Sequence, residues 1–166
     1  MDAKARLAIY WQLLTMTRPS ETAKAKWADI DVKKKQWAIP ADDMKRGKPH
    51  VVPLSDTLLL LLKEIKAINV AGVFLFESRK LDGHINSETA RMALRRAGIR
   101  STAHGLRALA ATCMQEQGYP EAVIDAALAH AKGGGDKTMA AYLRSTFYEE
   151  RSAMLEEWAR IVRCLA

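Results

Sequence analysis

Residues 104–130, HGLRALAATCMQEQGYPEAVIDAALAH, read as two short helices with a break between them. The first spans 104–117 and the second 120–129, and Gly118 and Pro120 supply the stop and restart that separate them. His104 and Arg107 stand three apart, so on a helix they project from one face, a turn from each other. Close to a helix N-terminus, unpaired backbone N–H groups and the helix dipole add to the attraction for a phosphate. His130 closes the second run as Leu128-Ala129-His130, where a C-terminal dipole favours a cationic imidazole. Taken singly, each of these residues is as easily a surface or structural side chain, because a His-x-x-Arg pair is common by chance.

Upstream, Leu7, Tyr10, Trp11 and Leu14 recur at helical spacing over residues 2–17. Arg18 precedes Pro19, which suits the first turn of a second helix with Glu21 inside it. An arginine there presents a planar fork of donors matching two phosphate oxygens, or else a salt bridge to Glu21, which itself reads as a buttress. Residues 27–30 and 36–39 read as strands joined by the polar turn 31–35, and residues 50–54 as a third. Between the last two lies Met44-Lys45-Arg46-Gly47-Lys48-Pro49, a basic turn. Lys45 belongs either to a merely solvated basic turn or to a tip that could enter a DNA groove and protonate a leaving oxygen, with Arg46 and Lys48 as rivals. Ser55 is an N-cap for a leucine-rich helix reaching Asn69, residues 73–76 form a short buried run, and Asn86 or Ser87 caps a helix ending near Gly98. Arg91, Arg95 and Arg96 give that last helix a solvated or phosphate-facing side.

Downstream, Gly133-Gly134-Gly135 separates His130 from a helix over 136–145 that carries Tyr142. A final amphipathic helix over 147–164 presents Met154, Leu155, Trp158, Ile161 and Val162. That helix packs on its own core or docks on a second protomer; patterning alone does not choose. Tyrosine titrates near ~10, so Tyr142 attacks only with its proton removed or its oxyanion stabilised. Tyr148 is its competitor, while Tyr10 and Tyr119 read as structural. The expectation is one domain, mainly α with a small antiparallel three-stranded sheet (α+β).

The chain has 166 residues, a net charge of +7 and a pI of about 9.5. Hydrophobic residues make up 49%, so a core is attainable and disorder is excluded. The basic balance favours an anionic partner, nucleic acid before an anionic membrane. Cys113 and Cys164 are too few for a disulfide framework and read as buried free thiols. No Cys–His cluster at zinc spacing and no apolar run near the ~20 residues that cross a bilayer occur in the sequence, and no signal peptide is expected from its start.

Together and in this order the residues resemble the catalytic domain of the tyrosine recombinases, the phage integrase family. The resemblance rests on His104-Gly105-Leu106-Arg107-Ala108, Gln117-Gly118 and Leu128-Ala129-His130. Ala141-Tyr142-Leu143-Arg144 with Tyr148-Glu149-Glu150-Arg151 resembles the tail of prophage and satellite-phage integrases, as do Trp27-Ala28-Asp29-Ile30-Asp31 and Val52-Pro53-Leu54-Ser55. It implies Arg18 and Arg107 as phosphate-clamping arginines, Lys45 as the hairpin lysine, His104 and His130 as the two histidines, and Tyr142 as nucleophile. It implies integration or excision of a mobile element by metal-free transesterification, with no cofactor, on double-stranded DNA attachment sites. A homotetramer on two sites and a bacterial, cytoplasmic, nucleoid-associated setting follow from the same resemblance. Residues 1–166 correspond to a single C-terminal catalytic domain, with the family's upstream DNA-clamping domains expected outside this chain. Rival readings are a non-catalytic DNA-binding remnant or regulator, a supercoil-relaxing enzyme of type IB topoisomerase chemistry, and a basic domain on acidic membranes.

Overall fold

The computed structural model describes residues 2–69, 72–78, 83–130 and 147–165. Within them the elements run α1 (Ala3–Thr15), α2 (Pro19–Ala23), β1 (Ile30–Asp31), β2 (Gln36–Ile39), β3 (His50–Pro53), α3 (Asp56–Ile68), α4 (Thr89–Arg96), α5 (Ala103–Glu116), α6 (Glu121–Ala127) and α7 (Tyr148–Leu165). The expected helix over 136–145 lies outside the described residues.

Helix α1 is the hub. Its residues Ala5, Leu7, Ala8, Ile9, Trp11, Gln12, Leu14 and Thr15 are all buried, so it is covered nearly all round. It packs against α2, α3, α4, α5 and α7. The main core gathers Trp11, Trp37, Leu58, Ile65, Phe76, Met114, Met154, Leu155 and Trp158. The rings of Trp11 and Trp37 meet at 5.3 Å, fixing the sheet against α1. A smaller cluster of Ala5, Ile9, Ala90, Ala93, Leu94 and Leu106 wedges α4 between α1 and α5.

The sheet is antiparallel in the order β1-β2-β3, with Ile30 opposite Trp37, Gln36 opposite Pro53 and Ile39 opposite His50. The turn between β1 and β2 closes with Asp31 Oδ1 accepting from Lys34 N at 2.9 Å and with Lys35 in the left-handed region, φ 51°. Ser55 caps α3 as expected, its Oγ accepting from Leu58 N at 3.3 Å.

Three sequence expectations are corrected. Trp27–Asp29 is a 3-10 turn rather than strand, because Trp27 N donates to Val73 O and Leu75 N to Ala25 O, drawing the chain into a distant pairing. Of residues 73–76, Leu75 and Phe76 are buried but Val73 is 62% exposed. Cys164 is exposed on the outer side of α7, and Cys113 is half-buried; both are free thiols.

The C-terminal helix packs on its own chain. Met154, Leu155, Trp158, Ala159 and Val162 are buried in the core, and Trp158 Nε1 donates to Leu13 O at 2.9 Å. No described helix is long and apolar enough to cross a membrane.

Candidate functional site

Placement of Arg18 begins with three threonines. Thr15 Oγ1 donates to Trp11 O at 2.7 Å, Thr15 and Thr17 share a hydroxyl bond of 2.8 Å, and Thr17 meets Thr22 at 3.0 Å. This buried chain turns the backbone at Met16, φ 55°, from α1 into α2. Arg18 then sits at the N-cap of α2, ahead of Pro19. Glu21 reaches back in the manner of a capping box: its Oε2 accepts from Arg18 N at 2.7 Å and its Oε1 from Arg18 Nη1 at 2.9 Å.

Arg107 arrives from the far end of the sequence. Thr102 caps α5, Oγ1 accepting from Gly105 N at 2.8 Å, and Arg107 follows one turn later. Its side chain is 3% exposed. Nη2 donates to Leu128 O at 2.8 Å, and Nη1 lies 3.9 Å from Glu21 Oε2. Glu21 therefore stands between two arginines that are far apart in sequence. Nη1 of Arg107 is buried and makes no hydrogen bond among the described residues. Burial, then the neighbouring charge of Arg18, lowers the Arg107 pKa to about 10 while Glu21 opposes the shift. The group stays protonated at neutral pH. Two guanidinium charges facing one carboxylate leave a net positive charge beside an unsatisfied donor, a setting that fits an anion.

His130 joins this cluster. The chain leaves α6 through Ala129, φ 51°, with His130 N donating to Asp125 O at 2.9 Å. The imidazole Nδ1 lies 3.4 Å from Asp125 Oδ1. Burial, then the charge of Arg107, lowers the His130 pKa, and the Asp125 carboxylate opposes. This corrects the dipole argument. His130 lies beyond the last residue of α6, and burial, then the charge of Arg107, sets the direction.

His104 is exposed on the first turn of α5, on the Arg107 face, and makes no hydrogen bond to Arg107 among the described residues. Lys45 is exposed in the connection between β2 and β3, at the tip of a turn closed by Gly47 N donating to Met44 O at 3.0 Å. Buried Met44 anchors that turn. Asp43, just before it, pairs with Lys26 at 2.9 Å and with Lys24, the C-cap of α2, at 3.5 Å. The loop base is thus tied to the helix that Arg18 opens. Tyr142 lies outside the described residues; Tyr148 opens α7. Asp125 and the Leu128 carbonyl are the partners that sequence reading missed. Neither carries a local signal, since each acts only through a residue brought up by folding. No cluster of three or more His, Cys, Asp or Glu suited to a metal occurs among the described residues.

The fold is that of the tyrosine recombinase catalytic domains. It superposes on the integrase from mycobacterium phage Brujita with a TM-score of 0.74 at 17% identity, over 94% of this chain and 52% of that one. It likewise matches the lambda integrase dimer bound to a COC′ core site, with a TM-score of 0.61 at 23% identity, over 86% and 42%. The chain belongs to the phage integrase family, whose sequence model matches residues 1–149. It is 43% identical over 166 residues to prophage integrase IntA of Escherichia coli K12, covering 98% of this chain and 40% of that protein. It is 31% identical over 173 residues to the integrase of Enterobacteria phage P4, covering 93% and 39%. The chain thus spans about two fifths of the length of these relatives.

Proposed function

We propose that this chain is the strand-transfer domain of a site-specific DNA recombinase that integrates or excises a mobile element. Tyr142 attacks a phosphodiester, its oxygen bonding to phosphorus as the bond from phosphorus to the 5′ oxygen breaks. Lys45 supplies the proton to that oxygen and His104 takes the tyrosine proton. Arg18 and Arg107 hold the non-bridging oxygens, and His130 hydrogen-bonds one of them. A 5′ hydroxyl of a partner strand reverses the step. The phosphotyrosyl bond conserves the energy of the broken linkage, so neither ATP nor a metal is needed. The complete reaction brings four protomers together on two double-stranded sites, in the bacterial cytoplasm where chromosomal DNA lies.

The carrying observation is the Glu21 carboxylate shared by Arg18 and Arg107, with Nη1 of Arg107 buried and unsatisfied. It supports a preorganised phosphate clamp in which fixed cations need no rearrangement when charge develops. The similarity to prophage and phage integrases points the same way.

Nicked duplexes tiling the ends of the element and the adjoining genomic DNA, incubated in EDTA, test this. The expected product is a denaturation-resistant protein–DNA adduct that Tyr142→Phe abolishes and Tyr148→Phe retains. An adduct lost only in Tyr148→Phe reassigns the nucleophile. Salt-sensitive DNA binding with no adduct on any duplex replaces catalysis with a binding module.

A further inference from the structure

We propose that Arg151 is a positioning residue for strand cleavage, locking the start of the C-terminal helix to the strand that leaves the Lys45 loop. The proposal rests on the strand-transfer reading above and deepens it.

Arg151 lies in the first turn of α7, its N donating to Phe147 O at 2.9 Å, and is 2% exposed. Its Nη1 donates to Val51 O at 2.8 Å. Val51 belongs to β3, the edge strand of the sheet, paired on its other side with Ala38 of β2. The guanidinium thus takes up a carbonyl at the outer edge of the sheet and covers it. Its carbon also lies 5.7 Å from the centre of the Tyr148 ring, which holds the first turn of the helix around it.

An apolar side chain would fill this space without the cost of desolvating a cation. What an arginine adds is direction: one donor on a rigid plane, aimed at one main-chain oxygen. The two segments so joined are the ones whose relation matters for cleavage. β3 leads back directly to the loop that presents Lys45, and α7 follows the segment that carries Tyr142. A second tie on the same helix, Glu156 Oε2 accepting from Asp56 N at 3.0 Å, joins α7 to the start of α3 instead. It provides a control that holds the helix without touching β3.

In cleavage the tyrosine oxygen bonds to phosphorus, the bond to the 5′ oxygen breaks, and Lys45 gives that oxygen its proton. A substrate with sulfur in place of the bridging 5′ oxygen leaves as a thiolate and needs no such proton. The duplex that yields an adduct with the unaltered protein, as naturally expressed, is therefore remade with a 5′-bridging sulfur at the scissile phosphate. Arg151→Met is expected to slow cleavage of the oxygen substrate by ~10²-fold, the scale of a displaced general acid. It should cleave the sulfur substrate at close to the unaltered rate, and Lys45→Ala is expected to do the same. Arg151→Lys, which keeps a donor, should recover part of the oxygen rate, and Glu156→Gln should leave the ratio of the two rates unchanged. Equal loss on both substrates by Arg151→Met and Arg151→Lys, or no loss on either, overturns the proposal. If the unaltered protein forms no adduct on any duplex, the strand-transfer reading falls first and takes this with it.

Discussion

Arg107 shows how one side chain joins the fold to the proposed phosphate clamp. Its Nη2 closes the end of α6 through Leu128 O, while Nη1 is held beside Glu21 with a donor to spare. The same positive charge acts on His130, whose imidazole is pressed toward neutrality by burial and then by Arg107, against the pull of Asp125. Because the folded pKa is lowered below 6.5, folding favours the neutral ring. Its cost to stability is absent above pH 6.5, grows as the pH falls through the lowered folded value, and levels off below it. Replacing Asp125 by Asn removes the opposing charge, so the His130 titration should move further down, followed by NMR of the imidazole Cε1–H. Arg107→Met should move it up; an upward shift in Asp125→Asn would refute this balance of charges. The sequence displayed Arg18, Arg107 and His130 as residue types suited to phosphate. It could not show that Glu21 is shared by both arginines, since Arg18 and Arg107 meet only through α1 and its packing.

At the scale of elements, most described helices were legible because capping and periodicity are local, though α4 has Glu88 at its N-cap where Asn86 or Ser87 was expected. Ser55, Pro19 and the Gly118–Pro120 break each mark a boundary that the structure keeps within a residue or two. The segment Trp27–Asp29 was not, because its backbone conformation follows from pairing with residues 73–75 across the fold. The exposure of Cys164 was missed for a related reason: an apolar context does not give the phase of a helix against its core. Helix α7 shows the other side of that limit. Its apolar face fitted its own core or a neighbour equally well by pattern, and the structure buries it on α1, α3, α6 and β3. Trp158→Ala should therefore destabilise the chain by about 3–5 kcal/mol, lowering Tm by on the order of 10 °C. The fall should be independent of protein concentration. A loss seen only at concentrations that favour association would place the helix on a partner.

Across the whole molecule, the hub helix and its packing bring Arg18, Arg107 and His130 together from separate stretches, and the Lys45 loop is tied to α2. Arg18 enters from the turn after α1, Lys45 from a loop tied to α2 by Asp43, Arg107 from α5 and His130 from beyond α6. The surplus of basic residues, +7 overall, suits a polyanion but does not locate its contact; in the proposed function the Arg18–Arg107 pair does. The central claim is that this pair neutralises charge on a scissile phosphate. It is tested most directly by cleavage of a duplex whose scissile phosphate is replaced by an uncharged methylphosphonate. On the ordinary phosphate, Arg107→Met should reduce adduct formation by ~10²–10³-fold. On the methylphosphonate, where no charge needs clamping, the same variant should approach the unaltered protein. An equal loss on both substrates would mean that Arg107 acts only through the fold at Leu128, and the clamp would be contradicted.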